Sequence, residues 1–192
     1  MNSKWLPLAV IAGLFVLILG WFVSTNNTLI SLNEGVNEKW SQVENVYQQR
    51  ADKIPNLVNT VKGYAKHESG IFDEVARARA QVGQIKVNNA ADLQKYDQAQ
   101  GQLTSALSRL LVVAENYPQL KADRNFQDLQ SQIEGQENRI TIERQRFNEA
   151  AREYNIYIRK FPQSIVASFR NFQPRAYFQA KTGADTAPKV EF

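Results

Sequence analysis

An uninterrupted apolar segment near the N-terminus constrains this chain more than any other feature. Residues 6–23 read LPLAVIAGLFVLILGWFV and contain no ionisable side chain. A helix of this length would span roughly 27 Å, close to the ~30 Å hydrocarbon core of a bilayer. Trp5 and Trp21 bracket the segment, where interfacial aromatic residues are expected. The segment therefore predicts one membrane-spanning helix.

A cleavable secretory signal peptide is the alternative to a permanent anchor. The apolar segment is longer than the apolar region of a signal peptide, and no Ala-x-Ala-like cleavage site follows Trp21. The chain has no cysteine, which excludes a lipid-modified cysteine as the anchor, as well as disulfides, thiolate catalysis and cysteine-ligated metal. We therefore expect residues 1–27 to form a permanent single-pass anchor.

The orientation of this anchor depends on very few charges. Lys4 is the only charged side chain before Glu34, and the terminal amine adds to it. Because positive charge favours the cytoplasmic side of a membrane, this weak bias predicts a cytoplasmic N-terminus and a periplasmic or extracellular domain. The opposite orientation, with the domain in the cytoplasm, stays open.

The rest of the chain has the composition and periodicity of helices. From Thr28 to Lys53, apolar residues recur at spacings of three and four, which indicates an amphipathic helix that can continue from the membrane segment as one rod. Pro55 is expected to kink or restart that helix. Asp123 is placed to cap a later helix. The sequence therefore predicts an all-α fold, with a single transmembrane helix followed by an up-and-down antiparallel bundle of long helices over residues 28–162.

Large apolar side chains recur at intervals of seven on the helix predicted after Asp123. Such spacing places them on one side of a long helix that requires a long facing partner. The neighbouring positions include Gln136 and Glu143, so a multi-helix bundle is favoured over a two-stranded coiled coil. The predicted core seam consists of Phe126, Ile133, Ile140, Phe147, Tyr154 and Phe161.

Two charged residues, Glu137 and Arg144, lie beside Ile140 on the predicted seam. A charge that faces a bundle interior must be paired to be tolerated. These two residues are therefore candidates for a buried polar network that fixes the register of the helices or binds a polar partner. The alternative is a solvated helix face with ion pairs four residues apart.

The C-terminal region is divided into two segments by its composition. Residues 163–181 are rich in aromatic side chains, and residues 182–192 mix Gly, Ala, Pro and charges, as disordered tails do. The aromatic segment either closes the end of the bundle or contacts lipid or another subunit. Its candidate contact residues are Phe169, Arg170, Phe172, Arg175, Tyr177 and Phe178.

The sequence is poor in groups that support catalysis. His67 is the only histidine, so a di-iron bundle site, which needs a histidine on each of two helices, is excluded. No nucleophile, phosphate-binding or dinucleotide-binding motif is present. The net charge of +4 is small and its charges are interspersed, which argues against nucleic acid as a partner. We therefore expect no enzyme, cofactor or metal site.

Several short stretches resemble the signature of the LemA family. They are RADKIPNLV at residues 50–58, VKGYAKHE at 61–68 and AENYPQLKA at 114–122, and the similarity continues to Phe178. The resemblance implies a single-pass protein of the bacterial inner membrane with a helical bundle and no established enzymatic activity. The family is also similar to a magnetosome-membrane protein, which suggests a role in shaping or organising membrane.

Two functions agree with these features. The first is a membrane-anchored scaffold that contacts lipid and assembles into a homo-oligomer larger than a dimer, because long helices expose much lateral surface and tethering raises the local concentration. The second is a ligand-sensing or accessory module that acts on a separate membrane protein. A large particle favours the scaffold, whereas a monomer or dimer with a bound small molecule favours the sensor.

Overall fold

The computed structural model describes residues 5–87 and 89–179, and every regular element in these ranges is an α-helix. The predicted all-α fold is therefore confirmed. The disordered tail expected at residues 182–192 lies outside the described residues. The helices are α1 (Trp5–Tyr64), α2 (Ser69–Gln84), α3 (Ala90–Glu115), α4 (Pro118–Lys121), α5 (Arg124–Arg159) and α6 (Gln163–Phe169).

Helix α1 joins the apolar segment to the bundle without a break. It is 60 residues long and passes residue 27 as one continuous element, so the expected single rod is confirmed. Pro55 lies inside α1, and the expected restart of the helix there is wrong. Ile54 and Leu57 are both buried beside it, and this packing offsets the hydrogen bond that proline cannot donate.

The side chains in the apolar part of α1 are exposed, and buried side chains appear only after that part of the helix. The side chains of residues 7–20 are all exposed, whereas Thr25 and Leu29 are buried. By length and composition, α1 is the one helix in the described part of the chain that could cross a membrane. The bare segment therefore has the surface that a lipid environment requires.

The helices form two compact units. The first unit combines residues 5–42 with Arg146–Arg175, and the second combines Val43–Gln145 with residues 176–179. Helices α1 and α5 contribute to both units, while α2, α3 and α4 belong to the second.

Within the second unit, α1 and α5 run antiparallel. Lys53 donates a hydrogen bond to Gln132 at 2.6 Å, and Tyr64, further along α1, donates to Asp123 at 2.8 Å. Going forward along α1 from Lys53 to Tyr64 therefore corresponds to going backward from Gln132 to Asp123, at the start of α5. Asp123 also accepts the backbone N–H of Phe126 at 3.1 Å, which confirms the predicted cap at the start of α5.

The seven-residue row on α5 is buried over most of its length. Its buried members are Phe126, Ile133, Ile140, Phe147 and Tyr154. Phe161 does not belong to the row, because α5 ends at Arg159 and the Phe161 side chain is 82 % exposed. The prediction that the seam reaches Phe161 is therefore wrong, since the chain leaves the helix before the next seven-residue step is complete.

Candidate functional site

The second unit contains a fully buried arginine that has several hydrogen-bond partners. Arg50, on α1, is only 1 % exposed. Its guanidinium group donates hydrogen bonds to the Thr104 hydroxyl at 3.0 Å and to the side-chain oxygens of Gln100 and Glu137. A buried charge is stable only when such partners replace its hydration. Arg50 therefore ties α1 to both α3 and α5.

Regular helical spacing brings these partners together. Gln100 and Thr104 are one turn apart on α3 and face the same side, and the Thr104 hydroxyl also donates to the Gln100 carbonyl at 3.0 Å. Glu137 forms an ion pair with Arg50 from α5, and its own side chain is 38 % exposed. In this network the positive charge of Arg50 is buried, whereas the negative charge of Glu137 is partly exposed to water.

The aromatic ring of Tyr47 lies against the Arg50 guanidinium. The guanidinium carbon lies 5.3 Å from the centre of the Tyr47 ring, and that ring meets Tyr96 edge-on at 5.4 Å. This arrangement adds a cation–π contact to the hydrogen bonds. The Arg50 Nε atom is buried and has no hydrogen-bond partner, so this N–H is an unused donor.

Arg50 opens the stretch at residues 50–58 that resembles the LemA signature, but it was not among the predicted site residues, although a signal for its burial exists. It lies three residues after Tyr47 and four before Ile54, and both neighbours are buried on α1. A charge at that spacing falls on the apolar stripe of the helix. This position alone indicates a buried charge, but not which side chains pair with it.

The two candidates for a polar network, Glu137 and Arg144, take part in separate ion pairs. Glu137 pairs with Arg50, whereas Arg144 pairs with Asp97 of α3 at 2.9 Å. The Arg144 guanidinium also stacks on the buried ring of Phe178 at 4.3 Å. Both residues therefore connect α5 to other parts of the second unit.

These pairs lie along a broad cleft in the second unit. The cleft has a volume of 1310 Å³, and its lining includes Arg50, Glu137, Asp97 and Arg144 together with glutamine side chains. Such a lining can hydrogen-bond a polar or anionic molecule. No group of three or more His, Cys, Asp or Glu side chains among the described residues could hold a metal ion.

We expect the burial of Tyr96 to make the protein sensitive to alkaline pH. Burial raises the pKa of Tyr96 from 10.0 to about 12, although a hydrogen bond with Gln100 acts in the opposite direction. The unfolded chain therefore loses this proton first, and about 3 kcal/mol of stability should be lost as the pH rises from about 10 to 12. Unfolding by urea across this pH range measures the loss.

Tyr96→Phe is the matched variant for this experiment. Phenylalanine keeps the ring and removes the titrating group, so the decline in stability above pH 10 should become shallower. A variant whose pH profile matches that of the unsubstituted chain would show that Tyr96 titrates normally.

The candidate contact residues of the C-terminal segment have different surroundings. Phe169 and Arg170 are exposed, and Phe172 is half-buried. Arg175 donates to the side-chain oxygens of Asn33 and Asn37, both at 2.8 Å. In the second unit, Tyr177 is exposed and Phe178 is buried. The segment therefore combines residues that pack inward with residues that face outward.

Comparison with known proteins matches this chain to one protein family and to relatives from three organisms. The profile of the LemA family matches residues 39–192. Magnetosome protein MamQ 2 of Paramagnetospirillum magneticum is 28 % identical over 181 residues, covering 83 % of this chain and 66 % of that protein. MamQ of Magnetospirillum gryphiswaldense is 25 % identical, covering 94 % and 75 %. Protein LemA of Metamycoplasma hominis is 23 % identical, covering 86 % and 76 %.

Proposed function

This chain belongs to the LemA family, and from that premise we propose that it is a membrane-anchored, non-enzymatic scaffold that self-assembles and organises the bacterial envelope membrane. The observation that carries this proposal is the continuity of α1. One helix presents a bare apolar surface over residues 7–20 and then enters the bundle, where Thr25 is already buried. Such a helix holds the bundle directly at the membrane surface.

The side chains of the described residues support a non-enzymatic role. His67 is exposed in the turn between α1 and α2. Most charged groups of the cleft lining form ion pairs, which are Arg50 with Glu137, Arg109 with Glu74 and Arg144 with Asp97. A catalytic site needs a nucleophile or base with a tuned proton affinity and an orienting partner. Paired charges that join helices serve packing instead.

Self-assembly is supported by the tether and by the outer surface of the bundle. A planar membrane confines the chains and raises their effective concentration. Large apolar side chains such as Ile156 and Val112 are exposed on α5 and α3. These features favour contacts between copies of the chain, and we infer an assembly larger than a dimer. Both MamQ relatives described above bear the printed name magnetosome protein, which agrees with a role in organising membrane.

A ligand sensor is the second candidate function, and the cleft beside Arg50 favours it. The buried Nε group of Arg50 has an unused N–H donor, and the cleft volume of 1310 Å³ accommodates a small molecule. In this alternative the occupied cleft alters the contacts of α1, and α1 transmits the change to a separate membrane protein.

The particle mass of the full chain in mild detergent separates the two functions. We expect a species heavier than a dimer that persists on dilution, because scaffold contacts form between bundles. A strict monomer at micromolar concentration would contradict self-assembly. A monomer or dimer that carries a small molecule, detected by mass spectrometry of the extract, would support the sensor instead.

A further inference from the structure

An exposed apolar patch lies around α6 in the first unit. Phe161, Ile165 and Phe169 follow one another at spacings of four residues, and their side chains are 82 %, 56 % and 78 % exposed. Ile165 and Phe169 are four residues apart within α6 and share one side of it, while Phe161 lies just before the helix begins. Three large apolar side chains that are exposed so close together in the chain are costly to leave in water.

The patch lies at the level where α1 leaves the apolar segment. The ring of Phe169 meets the ring of Phe22 edge-on at 5.9 Å, and Phe22 is the penultimate residue of that segment. The first buried residue of α1 beyond it is Thr25. Because the apolar segment matches the thickness of a bilayer, its end marks the membrane surface. The position of Phe169 therefore places α6 at that surface.

Basic residues flank the patch on both sides. Arg159 and Lys160 immediately precede Phe161, Arg170 immediately follows Phe169, and all three side chains are exposed. An apolar side bordered by cations is the pattern of a helix that lies in a membrane interface. The cations attract the anionic headgroups of such a surface.

The chain after α6 holds this helix in place. The backbone N–H of Phe172 donates to the Ala167 carbonyl at 2.9 Å, and Asn171 adopts a positive φ of 56° that reverses the chain. Arg175 then bonds to Asn33 and Asn37 on α1. These contacts fix the segment along α1, so the exposed patch is a structured surface.

From this arrangement we propose that α6 is a second membrane contact, which inserts Phe161, Ile165 and Phe169 into the headgroup region of an anionic bilayer beside α1. The inference rests on the anchor of the proposed function and extends it. Two contacts fix the tilt of the first unit against the membrane, whereas one helix leaves this unit free to rotate. The contacts of Arg175 with Asn33 and Asn37 are internal to the first unit.

The absence of cysteine from the chain allows a direct test with one label per copy. We would place an environment-sensitive fluorophore on Ile165→Cys in the full chain, reconstituted into vesicles of phosphatidylcholine and phosphatidylglycerol that contain lipids with a quenching group near the headgroup. Gln42→Cys is the matched control, since Gln42 is exposed on α1 and lies about 30 Å beyond Phe22 along the helix.

We expect several-fold stronger quenching and a blue-shifted emission at residue 165 compared with residue 42. Replacing both Phe161 and Phe169 by serine should reduce the quenching at 165, because the apolar side is lost while α1 still anchors the chain. Both residues are largely exposed, so the fold should tolerate the change.

The outcomes distinguish this inference from the proposed function. Equal, water-like emission at both labels in chains that remain with the vesicles would overturn the role of α6 and leave the anchor intact. A blue shift at 165 without lipid quenching would also overturn it and would identify another copy of the chain as the occupant. Chains that do not stay with the vesicles would overturn the anchor, and with it both proposals.

Discussion

Replacing Glu137 by alanine should lower the free energy of unfolding by about 3 kcal/mol, because it leaves the Arg50 charge buried without its counter-charge. Arg50 is 1 % exposed and cannot recover its hydration without opening the helices. The expected loss is at the lower end of the range for broken buried ion pairs, since the Glu137 side chain is itself 38 % exposed. Urea unfolding of the full chain in mild detergent, followed by circular dichroism, measures it.

Three further variants show whether the buried charge is the cause. Asp128→Ala removes an exposed carboxylate from the same helix and should change stability by less than about 0.5 kcal/mol. Glu137→Gln keeps an acceptor for Arg50 and should be milder than alanine. Adding Arg50→Met to Glu137→Ala should recover part of the loss, because the unpaired charge is gone. A Glu137→Ala variant as stable as the unsubstituted chain would mean that Arg50 does not depend on this carboxylate.

Replacing Ile133 by alanine should cost about 2 to 5 kcal/mol, because it removes buried methylene and methyl groups and leaves a cavity. Ile133 is 4 % exposed on the buried row of α5. The same urea unfolding experiment gives the loss as a shift of the midpoint.

Ile142→Ala is the matched control for this substitution. Ile142 lies on the same helix with its side chain 48 % exposed, so the same chemical change should cost much less. Equal losses at residues 133 and 142 would show that the seven-residue row does not form the core.

The sequence predicted those parts of the fold that depend on local patterns. The seven-residue spacing identified five buried positions of α5, and Asp123 marked its start, because both features are set within one helix. Phe161 shows the limit of the same pattern. Spacing records which side chains are apolar, but it does not record that α5 ends at Arg159 before the next step.

The candidate site could be predicted only in part. Glu137 was recognised as a charge that needs a partner, but Arg50, Gln100 and Thr104 lie on other helices, far away in sequence. Pairing across helices depends on their register, which a single sequence does not give. Arg175 illustrates the same limit, because its partners Asn33 and Asn37 lie well over a hundred residues away in the chain.

Counting the copies of the chain in single particles within a bilayer tests the scaffold most directly. The cysteine-free sequence allows one dye per copy, attached at Gln42→Cys, in vesicles that contain few protein particles. Photobleaching of one particle then proceeds in steps, one for each copy. We predict more than two steps in most particles, because the tethered bundles assemble in the membrane plane. One or two steps in most particles would contradict the self-assembling scaffold.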